Sequence, residues 1–307
     1  MRTAFALVLL HAVPAVAQMR PSEPAGFDVS DRERIALANV GLTSAFTLAR
    51  GIAEGRVRTV RDGVEVAAWG AVAGAGFYAA KDQVGRGRGA LGLGLAFASA
   101  SLAENAAVGG GVAGHVRAGF GPVDLRVRTP LATRPGPALG VEVDPLGAVA
   151  LVAVPLTGGR PVVRGGALVH LHPALLRDWR GGASGSTAGR VIVVDKLQDP
   201  ILRHEAVHLV QGLQASAATP YGRLGDLWRG GRRTSAGGAV QWDVRTDWLT
   251  AALGGLSLAL AGDGQPWPEV EAYELDSPPS PPYGPYGGGY VPTPCLPRPP
   301  DIVCNLR

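Results

Sequence analysis

Within Arg203-His204-Glu205-Ala206-Val207-His208-Leu209 the two histidines stand four residues apart, and on an α-helix that spacing places them one turn above each other on one face. Two imidazole nitrogens can then meet at a single metal ion, with the Glu205 carboxylate beside them. The helix is announced by its surroundings. Asp199 is suited to cap the free N–H groups, Pro200 to the first helical position, and Ile201, Leu202, Ala206, Val207, Leu209, Val210 and Leu213 supply an apolar pattern. Upstream, the β-branched run Arg190-Val191-Ile192-Val193-Val194-Asp195 reads as a strand, joined to the helix by Lys196-Leu197-Gln198.

This context resembles the zincin-type metallopeptidases, and more narrowly the gluzincins, whose third ligand is a Glu on a later helix. The resemblance covers the motif helix and the stretch to about residue 276. It implies an α+β, zincin-like fold holding Zn2+, with His204 and His208 as ligands and Glu205 as the general base that takes a proton from water and returns it to the leaving amine. The metzincin alternative, with a third His six residues after the second, fails because Gln occupies positions 211 and 214.

A downstream carboxylate must therefore complete the site. In Pro266-Trp267-Pro268-Glu269-Val270-Glu271-Ala272-Tyr273, Pro268 starts a short helix, and Glu-x-Glu-Ala resembles the gluzincin third-ligand segment, whose first Glu binds metal. That match selects Glu269, with Glu271 as runner-up on a different helix face. Related families place an Asp four residues after the ligand to orient a zinc histidine; here Tyr273 stands there. Asp226, Asp243 and Asp247 are the other carboxylates considered. Tyr221 and Tyr273 are candidate donors to a developing oxyanion, and Gln211, one turn past His208, a candidate contact to ligand or substrate amide.

Arg2, the apolar run from Ala4 to Val13 and Ala15-Val16-Ala17 have the three parts of a secretory signal peptide over residues 1–17, with Gln18 opening the mature chain. Export to the periplasm or cell envelope is the expectation, with secretion or membrane association as its variants. Residues 18–112 form an apolar, small-residue-rich helical region. Its segments Ile35 to Ala53, Val64 to Ala80 and Gly89 to Ala103 read as helices, and Gly70 and Gly74 allow one of them a close neighbour. Residues 35–103 are the candidate for membrane association, although their uncharged stretches of about 15 residues fall short of the ~20 that span a bilayer.

Residues 113–276 make up the zincin-like region, β-rich before the motif. His115 to Ala118 and Val123 to Arg128 alternate apolar and polar residues, while Ala148 to Leu156 and Ala167 to Leu171 read as inner strands. His170 and His172 share a strand face and are read as packing or surface residues; Trp242 to Leu260 reads as a supporting helix. Residues 277–307 are a Pro/Gly-rich tail, in which Cys295 and Cys304 would close a small disulfide loop after export.

The chain carries 29 basic and 25 acidic residues, but the arginines are scattered and form no stripe interleaved with aromatics, so no nucleic-acid partner is expected. The functional expectation is an exported zinc metallopeptidase acting on a peptide or protein substrate. The alternative is a non-catalytic cell-envelope interaction protein with a fortuitous or degenerate motif.

Overall fold

In the computed structural model, which describes residues 31–133, 138–172, 185–218, 234–236, 240–244 and 267–276, three helices come first: α1 (Asp31–Ala53), α2 (Val60–Gly85) and α3 (Gly89–Val108). Thr59 caps α2, its side chain accepting from the Asp62 N–H while the Asp62 side chain accepts from the Thr59 N–H. Gly109, at φ 70°, ends α3 in the left-handed conformation that glycine adopts without steric cost. Small residues set the spacing of the layer. A Cβ on Gly70 would lie 2.8 Å from the Ser44 Cα, and one on Gly74 would lie 2.6 Å from the Asn39 carbonyl, so α2 meets α1 backbone to backbone along the Gly-x-x-x-Gly face.

Two sheets follow. The five-stranded sheet runs β1 (His115–Phe120), β2 (Val123–Arg128), β3 (Leu139–Val143), β9 (Val240–Val244), β8 (Thr234–Ala236), antiparallel except for the parallel β3–β9 pair. The four-stranded sheet runs β4 (Arg160–Arg164), β5 (Ala167–Leu171), β7 (Val191–Val194), β6 (Gly185–Ala188), with β5 and β7 parallel. Between them in the chain lies α4 (Pro145–Leu156), and the motif helix α5 (Asp199–Ala218) and α6 (Trp267–Asp276) complete the described elements. Helices and strands are largely segregated along the chain, which makes the class α+β.

One hydrophobic core crosses the expected boundary at residue 112. Phe77, Ala80 and Val84 of α2 and Ala96, Ala100 and Ala103 of α3 pack with Ala206, Val207, Leu209, Val210 and Leu213 of α5, Val169, Ile192 and Val194 of the four-stranded sheet, and Ala272 and Leu275 of α6. Each fully buried Val or Leu here contributes about 1.5–3 kcal/mol relative to exposure. The other face of that sheet packs Leu168, Val191 and Val193 on Ala150 and Val154 of α4.

Two sequence expectations are corrected. Ala148 to Leu156 is helical, because Asp144 accepts from the N–H groups of Leu146 and Gly147 and Pro145 begins the helix, whereas a uniformly apolar run has no period to separate strand from helix. The expected helix from Trp242 instead starts as strand: Val240–Val244 pairs with β3, and residues 245–260 lie outside the described residues.

The five-stranded sheet inverts the usual partition. Its inward face carries Arg117, Asp124 and Glu142, buried with Glu104 of α3, while Val116, Phe120, Val123, Leu125 and Val127 are exposed on the other side. Arg117 bonds Glu104 Oε1 at 2.7 Å and pairs with Asp124 and Glu142; Arg126 reaches Glu104 at 3.1 Å and Glu142 at 2.7 Å; Arg50 of α1 lies 3.5 Å from Glu104. Two helices, Arg32–Ala53 and Gly89–Val108, are long and apolar enough to cross a membrane; in this fold the second buries Ser99, Ser101, Glu104 and Asn105 against protein.

Candidate metal centre

Asp199 and Pro200 open α5 as its first two residues, and the helix runs through the motif to Ala218. Val207, Val210 and Leu213 anchor one side in the core, which leaves His204 and His208 half-buried on another. Their rings meet edge to face with centroids 4.8 Å apart, and the two Nε2 atoms are separated by 3.2 Å. Two nitrogens bound at 2.0–2.1 Å with tetrahedral angles lie about 3.3 Å apart, so the separation is compatible with a shared zinc ion and equally with the hydrogen bond between the two rings.

The orientation of His208 follows from its partner. Gln211 Nε2 donates to the Pro268 carbonyl at 3.0 Å and to Glu271 Oε2 at 2.7 Å, which turns its Oε1 to His208 Nδ1 at 2.7 Å. An amide oxygen only accepts, so His208 carries its proton on Nδ1 and presents the lone pair of Nε2 to His204.

Glu205 lies against β6, one of the two edge strands of its sheet among the described residues. The Thr187 hydroxyl is 2.8 Å from its Oε2 and 3.1 Å from its backbone carbonyl. Gly185 leaves the space: a Cβ there would stand 2.6 Å from Glu205 Oε1. Glu205 is thus tied to β6, whereas His208 is tied through Gln211 to α6.

Of the proposed third ligands, Glu269 is placed by its backbone in the first turn of α6, directly after Pro268, and its side chain lies outside the described residues. The runner-up Glu271 is buried with its carboxylate turned to Lys81, Asn39 and Gln211, and Gln211 stands between it and His208. Gln211 contacts His208 of the histidine pair. Asp226, Asp247, Tyr221, Cys295, Cys304, the expected signal segment at residues 1–17 and residues 277–307 lie outside the described residues, as do the side chains of Asp243 and Tyr273. Among the described residues no group of three or more His, Cys, Asp or Glu side chains is gathered as a metal site.

His170 and His172 form no second centre. His170 is fully buried, neither ring nitrogen has a hydrogen-bond partner among the described residues, and desolvation pulls its pKa below the ordinary value. His172 Nε2 lies 2.9 Å from the Thr157 carbonyl.

Sequence reasoning missed Thr187, Gly185, Asn39, Gln214 and Lys81. Lys81 had a signal: it is one of two lysines in an arginine-rich chain, set beside an apolar helical run. No family model, curated protein or solved structure matches the chain.

Proposed function

We propose that the chain is an exported zinc metallopeptidase of zincin-like architecture. The observation that carries this reading is the convergence of His204 Nε2 and His208 Nε2 to 3.2 Å on a core-anchored helix, beside a buried Glu205 carboxylate. His204 and His208 would hold Zn2+, with Glu269 as the third ligand. Zinc bound there supplies Lewis acidity that makes water acidic enough to act near neutral pH.

The chain's own residues do the rest. Glu205 is the proton carrier: its carboxylate accepts a proton from the attacking water and delivers it to the departing amine, while the Thr187 hydroxyl holds Oε2 in place. Among the described residues β6 pairs on one side only, with β7, and an extended peptide added on its other side as a further strand would run past Glu205. This favours peptide over small-molecule substrates.

The test combines metal analysis with turnover. The purified mature chain should carry about one zinc, His208→Ala should lose it, and Glu205→Gln should keep it while abolishing cleavage of a peptide library. Zinc-free protein in metal-replete buffer, or an active Glu205→Gln variant, sinks the reading. The alternative, a non-catalytic envelope interaction protein, is favoured by the exposed face of Val116, Phe120, Val123, Leu125 and Val127, and predicts no stoichiometric zinc.

A further inference from the structure

We propose that Lys81, Glu271 and Gln211 form a positioning relay that fixes the tautomer and orientation of His208, and through it the metal affinity of the histidine pair; the affinity part rests on the metallopeptidase reading, the tautomer part on the hydrogen bonds alone.

The relay begins in the N-terminal helical layer. Lys81 Nζ on α2 lies 2.9 and 2.8 Å from the two oxygens of Glu271, 2.7 Å from Asn39 Oδ1 and 2.7 Å from Gln214 Oε1, so its three protons serve three acceptor groups. Asn39 of α1 donates through Nδ2 to the Ile35 carbonyl and to Glu271 Oε1. Gln214 donates onward to Thr43 Oγ1 at 2.7 Å. Lys81, Asn39 and Glu271 are 1%, 3% and 2% exposed, and with their neighbours they join α1, α2, α5 and α6.

A buried Lys–Glu pair costs desolvation that only excellent geometry offsets, and apolar side chains would stabilise the same space at least as well. What this pair adds is direction. With Lys81 and Asn39 holding Glu271, the carboxylate presents Oε2 to the Gln211 amide, and the amide can then present only its oxygen to His208 Nδ1. An acceptor on Nδ1 orients the ring and raises the basicity of Nε2, which is the function of an outer-shell partner in a metal site. The Asp that the sequence lacks four residues after Glu269 is thus replaced by a relay through Gln211, anchored on a lysine of a distant helix.

The experiment uses the full mature chain, metal-stripped and then titrated with zinc. In the stripped protein, ring-nitrogen NMR should show His208 protonated at Nδ1. Gln211→Leu should give a mixed tautomer, and Lys81→Met, which touches neither Gln211 nor His208, should do so in part. Zinc competition against a chromophoric chelator should give dissociation constants weaker by about 10- to 100-fold in both variants. A wild-type His208 protonated at Nε2 overturns the relay, whether or not the variants fold. Unchanged zinc affinity in a folded Gln211→Leu variant overturns its control of the metal. A wild-type chain that binds no zinc overturns the metallopeptidase reading instead, and the tautomer measurement still decides the relay.

Discussion

The Thr187 hydroxyl lies 2.8 Å from Glu205 Oε2, which ties the buried carboxylate of the motif helix to the strand beside it. Thr187→Val keeps the shape and removes the donor. A hydrogen bond to a charged group is worth about 1.5–3 kcal/mol, so turnover on a peptide substrate should fall about tenfold or more, with zinc content and melting temperature nearly unchanged. Steady-state kinetics beside metal analysis checks this; equal loss of zinc and of activity would mean that Thr187 supports the fold instead.

Gly185 tests the same contact by crowding. An added Cβ would stand 2.6 Å from Glu205 Oε1, 2.8 Å from its Cγ and 2.9 Å from the Ile201 side chain, so Gly185→Ala must move the carboxylate or the strand. Turnover should drop more than tenfold while about one zinc per chain is retained, since neither histidine is touched. Wild-type kinetics in this variant would place the reacting carboxylate elsewhere.

Glu104 holds the helical layer to the inverted sheet. Burial raises its pKa, but Arg117, Arg126, His115 and Arg50 together outweigh burial and hold the carboxyl well below the usual range. Glu104→Gln leaves those arginines facing a neutral amide and should cost about 3–5 kcal/mol in urea unfolding at neutral pH. Because the folded pKa is depressed, the Glu104 contribution is complete above the unfolded carboxyl pKa of about 4.3 and is lost as pH falls toward the folded value, so the variant should be less acid-sensitive in that window.

His170 adds a second source of acid sensitivity, in a higher pH window. Desolvation holds its folded pKa below the unfolded value of about 6.5, so as pH falls the unfolded chain binds the proton first and stability declines until the folded pKa is reached. Comparing urea midpoints of wild type and His170→Leu from about pH 7.5 to 5 should show a flatter profile in the variant, by up to about 1.4 kcal/mol per pH unit. Parallel profiles would mean that burial leaves His170 with the same proton affinity in the folded and unfolded chain.

The elements most legible in the sequence were those whose signals are local. Asp199-Pro200 marked the motif helix, the Gly70–Gly74 spacing marked a close helix pair, and the alternation in Val123 to Arg128 marked a strand. Alternation does not reveal which face turns inward, because that depends on what covers it: here Glu104 and Arg50 favour the charged side. Likewise Val240–Val244 became a strand through pairing with β3, about a hundred residues earlier, which no local window registers. At the site, the histidine spacing was enough to bring two Nε2 atoms together, but the function of Glu271 depended on Lys81 and Asn39, which lie far away in sequence.

The core shared by Phe77, Ala100, Val207 and Leu213 makes the helical layer and the motif helix a single cooperative unit. A fragment beginning after residue 112 would strip from Val207, Val210 and Leu213 the Phe77, Ala80, Val84, Ala96, Ala100 and Ala103 side of their core, and such a piece should aggregate rather than fold. The motif could therefore not be exchanged between proteins as a free-standing cassette; it would have to travel with the three helices that precede it.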